Sequence, residues 1–259
     1  MKLSLIKELS YTIINLITFG RGIKKEIGNT SLRLPARYFR YFPNDYEKEN
    51  LKIIDEYIQE GMVVVDVGAH IGLLSAVIAK KLKASGNVYS FEPTPSTFLV
   101  LRNTIKINGL ENSIRPVQAA LSNKSGKTIF YISNNTVDNS NSLVNNRRSD
   151  RKEEAVDVVL YSLDDFLKQE NVRRLDFIKI DAEGAELQVL RGAQQSIANY
   201  HPLIILAIHP QSIKNFGDSL EEIWDFIHSN KYNAHLEGRI IKKEDFISRK
   251  DLFDVFLRK

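Results

Sequence analysis

An α/β fold with a mostly parallel sheet is predicted by three features of the 259-residue sequence. Apolar, strand-like runs alternate with segments of helical periodicity from residue 51 onward. Several of these runs end on a polar residue followed by a turn, as buried parallel strands do where a sheet binds its ligand. Two later runs, Tyr232–Leu236 and Phe253–Leu257, suit an antiparallel pair at one side of the sheet.

The stretch VVVDVGAHIG, Val63–Gly72, organises the rest of the chain. A buried strand runs into Asp66, a turn lies between Gly68 and Gly72, and helical periodicity follows as far as Leu82. Glycine permits positive φ and close approach of a ligand, and the start of a helix offers unpaired N–H groups. The stretch therefore predicts a nucleotide site, in which Asp66 orders the turn or neutralises an ammonium group of the ligand.

The acids at the strand ends indicate which nucleotide is bound. The dinucleotide pattern G-x-G-x-x-G is absent, because His70 stands where its second glycine belongs. The next predicted strand, Val88–Phe91, ends on Glu92, which can accept hydrogen bonds from both hydroxyls of a ribose. One acid for a ribose, one near an amino-acid portion and no phosphate cradle favour S-adenosyl-L-methionine. The alternative is that Asp66 and Glu92 are helix-capping or surface acids.

The other elements of the main domain follow in order. A helix is predicted at Leu51–Gln59 and a further helix at Thr94–Asn108. The remaining predictions are a third strand at Ile114–Leu121, a short helix capped by Ser162 through Lys168, a fourth strand at Asp176–Asp181, a helix at Gly184–Ala198, a fifth strand at Pro202–His209 and a helix at Glu221–Ser229. Lys127–Ser133 and Val156–Leu160 predict a β-hairpin inserted into the fold.

Residues 1–50 are predicted to form an N-terminal helical, basic and aromatic cap ahead of a catalytic domain at 51–259. The amphipathic helix Met1–Gly20 has an apolar run too short to span a bilayer. It is expected to pack on the core, to form a homodimer contact or to make peripheral membrane contact. Beyond it, basic residues interleave with aromatic ones; they either hold a nucleotide-sugar or form a solvated cap, and they include Arg33, Arg37, Tyr38, Arg40 and Tyr41.

The stretch Asn134–Asp150 is polar and too long for an idle loop in a compact domain. It is predicted to be a mobile substrate loop, with plain disorder as the alternative. Its candidate contacts to an acceptor are Ser142, Asn145, Arg147 and Arg148.

Composition narrows the class of protein. The net charge of +4 and sequence pI of about 9.0 are mild and the basic residues are spread along the chain, so no nucleic-acid partner is expected. The sequence has no cysteine, which excludes disulfides, zinc ribbons and thiol catalysis and favours a cytoplasmic location.

Six sequence blocks occur in continuous order between about Glu56 and His209. They are VVVDVGAHIGLLS, VYSFEPTPSTFLVLRNTIKINGL, VQAALSNKSG, LYSLDDFL, FIKIDAEGAELQVLRGA and PLIILAIHP. Together they resemble the FkbM family of S-adenosylmethionine-dependent methyltransferases, known mainly for O-methylation of hydroxyls on sugars and polyketide-type products. The resemblance implies a Rossmann-like class I methyltransferase fold with a seven-stranded sheet. The sequence departs from the family at His70, often Asn, and at Ala207, often Glu.

The residues expected to bind the cofactor lie at the strand ends and in the turns that follow them. Small side chains at the end of the third strand would leave room for the adenine ring. The full set is Asp66, Gly68, Ala69, His70, Gly72, Glu92, Pro93, Ser96, Ala119, Ala120 and Asp181.

Methyl transfer to a hydroxyl requires a group that takes the proton. His209, at the end of the fifth strand, is the predicted base because imidazole titrates near neutral pH. Asp181 and Glu183 are predicted to orient it or to hold the acceptor; a structural hydrogen bond for His209 and helix capping for Glu183 are the alternatives. These three residues can also supply metal ligands, but nothing in their spacing requires it, and no metal is predicted.

The expected function is transfer of a methyl group from S-adenosyl-L-methionine to a hydroxyl of a sugar, in a nucleotide-sugar or a surface glycan. A polyketide or another small metabolite is the rival acceptor, and an RNA ribose comes behind it. Methylation of a base nitrogen would require an N/D-P-P-Y-like turn, where this chain has Asp181, Ala182, Glu183 and Gly184. From another class, a non-catalytic cofactor-binding protein or scaffold is the remaining alternative.

Overall fold

The computed structural model describes residues 10–14, 16–83, 85–133 and 153–259. The strands are β1 Ile23–Ile27, β2 Thr30–Leu34, β3 Val63–Val67, β4 Asn87–Phe91, β5 Ile114–Val117, β6 Ala120–Leu121, β7 Gly126–Ser133, β8 Glu153–Tyr161, β9 Phe177–Ile180, β10 Leu203–Ile208, β11 Asn233–Leu236, β12 Arg239–Ile240 and β13 Phe253–Arg258. The α-helices are α1 Lys48–Tyr57, α2 Leu73–Leu82, α3 Pro95–Ile107, α4 Leu163–Gln169, α5 Glu186–Gly192, α6 Gln194–Tyr200, α7 Pro210–Phe216, α8 Leu220–Ser229 and α9 Lys243–Ser248. A 3₁₀ turn occupies Ala36–Tyr38, and residues 10–14 and 16–17 are helical.

The main sheet has the strand order β12-β11-β13-β10-β9-β3-β4-β5. Its strands β5, β4, β3, β9 and β10 are parallel, while β13 runs antiparallel to both β10 and β11. The predicted α/β sheet with an antiparallel strand pair is therefore confirmed, and the two-residue β12 adds an eighth strand. The order reverses beside β3, so the ligand site is expected at the carboxyl ends of β3, β4 and β9.

Apolar cores on both faces hold this sheet in place. Ile78 of α2 and Leu101 of α3 are fully buried on one face, and Leu187 of α5 and Ile223 of α8 are buried on the other. Each such side chain contributes roughly 1.5–3 kcal/mol by its removal from water. The two layers fix the five parallel strands, and their carboxyl ends form one rigid edge.

The third strand differs from the prediction. Strand β5 ends at Val117, and Ala120–Leu121 pair instead with β8 in a separate three-stranded sheet. The pairing with β4 stops at Val117, and the N–H of Ala119 donates to the carbonyl of Val117 at 3.0 Å in a tight turn. Ala119 therefore lies where the chain passes from one sheet to the other.

The predicted helix Gly184–Ala198 is two helices, α5 and α6, which meet at Ala193. The carbonyl of Ser122 approaches the backbone of Gly192 so closely that a Cβ there would collide with it. This contact needs a glycine at the end of α5.

Two hairpins accompany the sheet. The inserted hairpin of β7 and β8 is confirmed, while the antiparallel hairpin of β1 and β2, within the predicted cap, was not expected. Residues 1–9 of the predicted amphipathic helix and the whole predicted loop Asn134–Asp150, with its four candidate acceptor contacts, lie outside the described residues. Within the described part of the chain, none of the helices combines the length and apolar character needed to cross a membrane.

Candidate active site

The turn after β3 is fastened to the neighbouring strands. The N–H groups of Gly68 and Ala69 both donate to the carbonyl of Phe91, at 3.0 and 2.9 Å. Gly68 has φ 74°, and a Cβ on it would collide with the carbonyl of Asp181. Glycine is thus required at position 68 both for its dihedral angle and for the approach of the chain after β9.

Glu92 orders the same turn from the end of β4. Its Oε2 accepts from the N–H of His70 at 3.0 Å, and its Oε1 accepts from the N–H of Thr94 at 2.8 Å. The side chain is buried, and this burial raises the pKa of Glu92 to about 7 although the backbone hydrogen bonds of Thr94 and His70 act in the opposite direction. Each oxygen keeps acceptor capacity for a further donor.

A partly enclosed cavity lies beside Glu92 and is mostly apolar. It is lined by Val67, Gly68, His70, Phe91, Glu92, Pro93, Thr94, Thr97, Ala119, Ala120, Leu121, Asp181, Ala182, Glu183 and Ala185. Buried acceptor oxygens at one point and small alanine side chains at another suit a ribose and an aromatic ring, so these residues fit S-adenosyl-L-methionine.

Most of the predicted cofactor residues line this cavity, but four do not. Ser96 is exposed on α3, and Gly72 packs under Leu101, whereas Ala69 borders a smaller cavity on the other side of the turn. Thr94 and Thr97 line the main cavity in their place and were not predicted. Asp66 is the fourth predicted cofactor residue that does not line the main cavity.

Asp66 lies beneath the turn, 1% exposed. Its Oδ2 accepts from Ser75 Oγ at 2.5 Å, and Ser75 Oγ in turn accepts from Ser90 Oγ at 2.8 Å. Its Oδ1 lies 4.0 Å from Lys179 Nζ. Asp66 therefore connects β3, α2 and β9 below the cavity, and burial raises its pKa.

Lys179, which the sequence analysis did not single out, is the buried cation of the site. Its Nζ lies 3.3 Å from Asp181 Oδ2 and 4.0 Å from Asp66 Oδ1, and its side chain is 6% exposed. Burial opposes its charge, but Asp181 and then Asp66 outweigh burial and raise the pKa of Lys179. Lys179 thus stays charged and binds two strand-end carboxylates together.

His209 meets three carboxylates at the edge of the cavity. Its Nδ1 lies 2.8 Å from Glu186 Oε1, and its Nε2 faces Asp181 Oδ1 at 3.6 Å and Glu183 Oε2 at 3.7 Å. The structure therefore brings the three predicted catalytic residues together. It adds Glu186, which is fully buried and also accepts from the N–H of Gly184 at 3.0 Å.

The charged groups of this cluster shift the pKa values of His209 and Asp181. Burial alone would lower the pKa of His209, but the hydrogen bond to Glu186 and the charges of Glu186, Glu183 and Asp181 raise it to about 9. Burial would raise the pKa of Asp181, but Lys179 and His209 hold it below its usual value. The role of general base for His209 stays a prediction, and the carboxylate of Asp181 beside it is a further candidate proton acceptor.

Two non-glycine residues of the site have left-handed backbone conformations. His70 has φ 49° and Glu183 has φ 50°. Such conformations cost about 1–3 kcal/mol and persist where the surroundings enforce them. Asparagine adopts this region more readily than most residues, which accounts physically for Asn as the alternative at position 70.

The N-terminal segment reaches the site through aromatic side chains. The ring centroids of Tyr38 and Phe42 lie 6.4 and 6.2 Å from the centroid of the His70 imidazole. Burial of that imidazole lowers the pKa of His70 to about 4, so it is neutral. Among the candidate sugar contacts, Arg33 donates instead to the carbonyls of Arg21 and Gly22, at 3.3 and 3.2 Å.

Ala207, where the resembled family often has Glu, is buried in β10. Its register partner on β13 is Asp254, which accepts from Asn50 Nδ2 at 2.6 Å. The fifth strand thus has no acid at position 207, but an acid occupies the adjacent position on the neighbouring strand.

The methyltransferase FkbM domain model matches residues 66–234, which is more than half of the chain. Hexuronic acid methyltransferase AglP of Haloferax volcanii is 27% identical over 201 residues, 78% of this chain and 75% of its own length. Methyltransferase sdnD of Sordaria araneosa is 30% identical over 158 residues, 51% of this chain and 60% of its own length.

Solved structures show the same fold. The methyltransferase FkbM from Methylobacillus flagellatus KT has a TM-score of 0.50 at 18% identity, covering 83% of this chain and 51% of that one. A structure described as a putative rRNA-methylase from Clostridium thermocellum has a TM-score of 0.51 at 9% identity. The match covers 82% of this chain and 94% of that one. This α/β fold is that of class I methyltransferases. With its sheet order and the match over residues 66–234, the chain belongs to the FkbM family of S-adenosyl-L-methionine-dependent methyltransferases.

Proposed function

We propose that this protein transfers a methyl group to a hydroxyl of a sugar, with a hexuronic acid in a glycan or a nucleotide-sugar as the acceptor. The observation that carries the proposal is the cluster of Asp181, Glu183 and His209. Two of these side chains line the cofactor cavity, and the third lies 3.6–3.7 Å from their oxygens. An acceptor that enters beside the cofactor meets this cluster.

The cluster favours a hydroxyl acceptor for a chemical reason. S-adenosyl-L-methionine, when bound, supplies a methyl group on a positively charged sulfur. A neutral hydroxyl must lose its proton as it attacks, whereas an ionised carboxylate already carries the charge. Asp181 and Glu183 offer oxygen atoms that can receive this proton, and His209 beside them can help to hold the acceptor oxygen in line.

The sugar is supported by one relative. The protein from Haloferax volcanii that aligns with 78% of this chain is a hexuronic acid methyltransferase. A hexuronic acid offers both hydroxyls and a carboxylate, so the reaction can give an ether or an ester.

Alkali distinguishes these two products. We expect incubation with S-adenosyl-L-methionine carrying a ¹³C methyl group and a panel of hexuronic acid glycosides and nucleotide-hexuronic acids to give a labelled methyl ether. The ether survives mild alkali and shows a carbon correlation to a ring position in NMR. A label that alkali releases as methanol would place the methyl on the carboxylate and contradict the hydroxyl assignment. Transfer only to non-sugar hydroxyls would contradict the proposal that the acceptor is a sugar.

Glu92 should control cofactor affinity through its charge. Glu92→Ala is expected to weaken cofactor binding by about 1.5–3 kcal/mol, the scale of charge-assisted hydrogen bonds to a ribose. Because the raised pKa of Glu92 is about 7, its carboxylate becomes protonated as pH falls through 7 and no longer offers a charged oxygen to the ribose hydroxyls. Calorimetry should show the wild-type Kd rising by up to about tenfold per pH unit below that value.

Glu92→Gln is the matched variant, since its side chain keeps the size but does not ionise. Its cofactor Kd should be weak at every pH between 5.5 and 8. A wild-type Kd that is independent of pH over this range would contradict a ribose contact through ionised Glu92.

A further inference from the structure

We propose that Asp181, Glu183 and His209 bind one divalent metal ion, of the Mn²⁺ type, which holds the acceptor hydroxyl beside the cofactor. The ion's role in transfer rests on the proposed function, but its binding to the protein does not. No metal was expected from the spacing of these residues in the sequence, but the folded site brings their ligand atoms within 4.8 Å of one another.

The ligand atoms are spaced for an ion rather than for each other. One atom from each of the three residues lies within 4.8 Å of the others. His209 Nε2 is 3.6 Å from Asp181 Oδ1 and 3.7 Å from Glu183 Oε2, both too long for hydrogen bonds. Atoms that share an ion at bond lengths of about 2.1 Å are separated by roughly 3–4 Å.

His209 is oriented as a metal ligand. Its side chain is 9% exposed, and Nδ1 is fixed by Glu186 Oε1 at 2.8 Å. That contact turns Nε2 toward the two carboxylates, where no hydrogen-bond acceptor among the described contacts of His209 meets it. A carboxylate behind a ligating imidazole is the usual outer partner in such sites, because it fixes the ring and strengthens the nitrogen as a donor.

The candidate ligand set is rich in carboxylate oxygen. Asp181, Glu183 and Glu186 place three carboxylates around one imidazole. The nearby lysine, Lys179, contacts Asp181 but also faces the buried carboxylate of Asp66. Two carboxylate oxygens with one imidazole nitrogen suit Mn²⁺, because carboxylates favour hard divalent cations and imidazole favours transition metals.

The position gives the ion a role. Asp181 and Glu183 line the cofactor cavity, so an ion bound between them has coordination positions that face it. A hydroxyl bound there loses its proton more easily. The acceptor oxygen then forms a bond to the methyl carbon while the carbon–sulfur bond breaks. The electron pair of the broken carbon–sulfur bond goes to sulfur, and the products are a methyl ether and S-adenosylhomocysteine. The hydroxyl proton passes to a carboxylate or to water.

The test measures metal binding without cofactor or acceptor. Chelator-treated protein is titrated with Mn²⁺, and the bound ion is followed by electron paramagnetic resonance. We expect one site per chain, at least tenfold weaker in His209→Ala and in Glu183→Gln. The matched controls are His228→Ala and Glu237→Gln; both residues are exposed, and Glu237 shares the left-handed backbone of Glu183 with φ 51°. The controls should bind Mn²⁺ as the wild type does.

Cofactor titration of the same variants checks that they are folded. Because Glu183 is 28% exposed, Glu183→Gln tests the site even where His209→Ala fails to fold. Absence of a Mn²⁺ site, or equal Mn²⁺ affinity in Glu183→Gln and the wild type, would overturn the proposal. Methyl transfer at full rate in excess chelator would also overturn it and leave the proposed function intact, whereas Mn²⁺ binding without transfer to any sugar would refute only the function.

Discussion

Replacement of His209 by alanine should lower turnover by about 10²–10⁴-fold while the cofactor Kd stays within about twofold of the wild type. The side chain lies 3.6–3.7 Å from Asp181 and Glu183, which line the cavity, but it does not itself line the cofactor cavity. Its loss therefore affects the acceptor side of the reaction. Steady-state kinetics and calorimetry on the same preparation separate the two effects.

Glu186→Gln should give a smaller loss, about 10–100-fold, because it weakens the orientation of the imidazole without removing it. His228→Ala, on the exposed face of α8, is the control and should be neutral. If His209→Ala kept more than a third of wild-type turnover with the true acceptor, the acceptor hydroxyl would not depend on this cluster as proposed.

Replacement of Lys179 by methionine should lower the free energy of unfolding by about 3–5 kcal/mol, the cost of breaking a buried ion pair. The methionine fills similar space but leaves Asp181 and the buried Asp66 without their cation. Chemical denaturation measures the change.

Lys243→Met provides the matched control, since Lys243 pairs with Asp225 at 2.8 Å on the surface and its loss should change stability by less than about 1 kcal/mol. A Lys179→Met protein as stable as the control would contradict the view that Lys179 holds the ends of β3 and β9 together.

The parts of the fold that local sequence determines were predictable. An apolar run, two glycines and helical periodicity predict the strand, turn and helix at Val63–Leu82. Each of these elements lies where it was expected. Glu92 was predictable because it directly follows an apolar strand. The hairpin of β1 and β2 was missed although its signal was present: Ile23, Ile27, Leu32 and Leu34 alternate about a Gly28–Asn29 turn.

The features that were missed depend on partners far along the chain. The predicted helix Gly184–Ala198 divides at Ala193, next to the close contact of Gly192 with Ser122. Lys179 appears in the sequence as a charge within an apolar strand, and its buried partner Asp66 is contributed by another strand. Glu186 looks like an ordinary first-turn helix acid until the fold brings it to His209. A charge in an otherwise apolar segment was the available signal in Lys179, since such a charge needs a partner.

We expect the cavity beside Glu92 to bind S-adenosyl-L-methionine as the methyl donor of this enzyme. The test is calorimetric titration of the wild type and Glu92→Ala with S-adenosyl-L-methionine, S-adenosylhomocysteine and NAD. Binding of the first two ligands should be saturable and weakened about 10-fold or more by Glu92→Ala, and NAD should not bind. Saturable NAD binding without any response to S-adenosyl-L-methionine, or equal affinity in the Glu92→Ala variant, would contradict it.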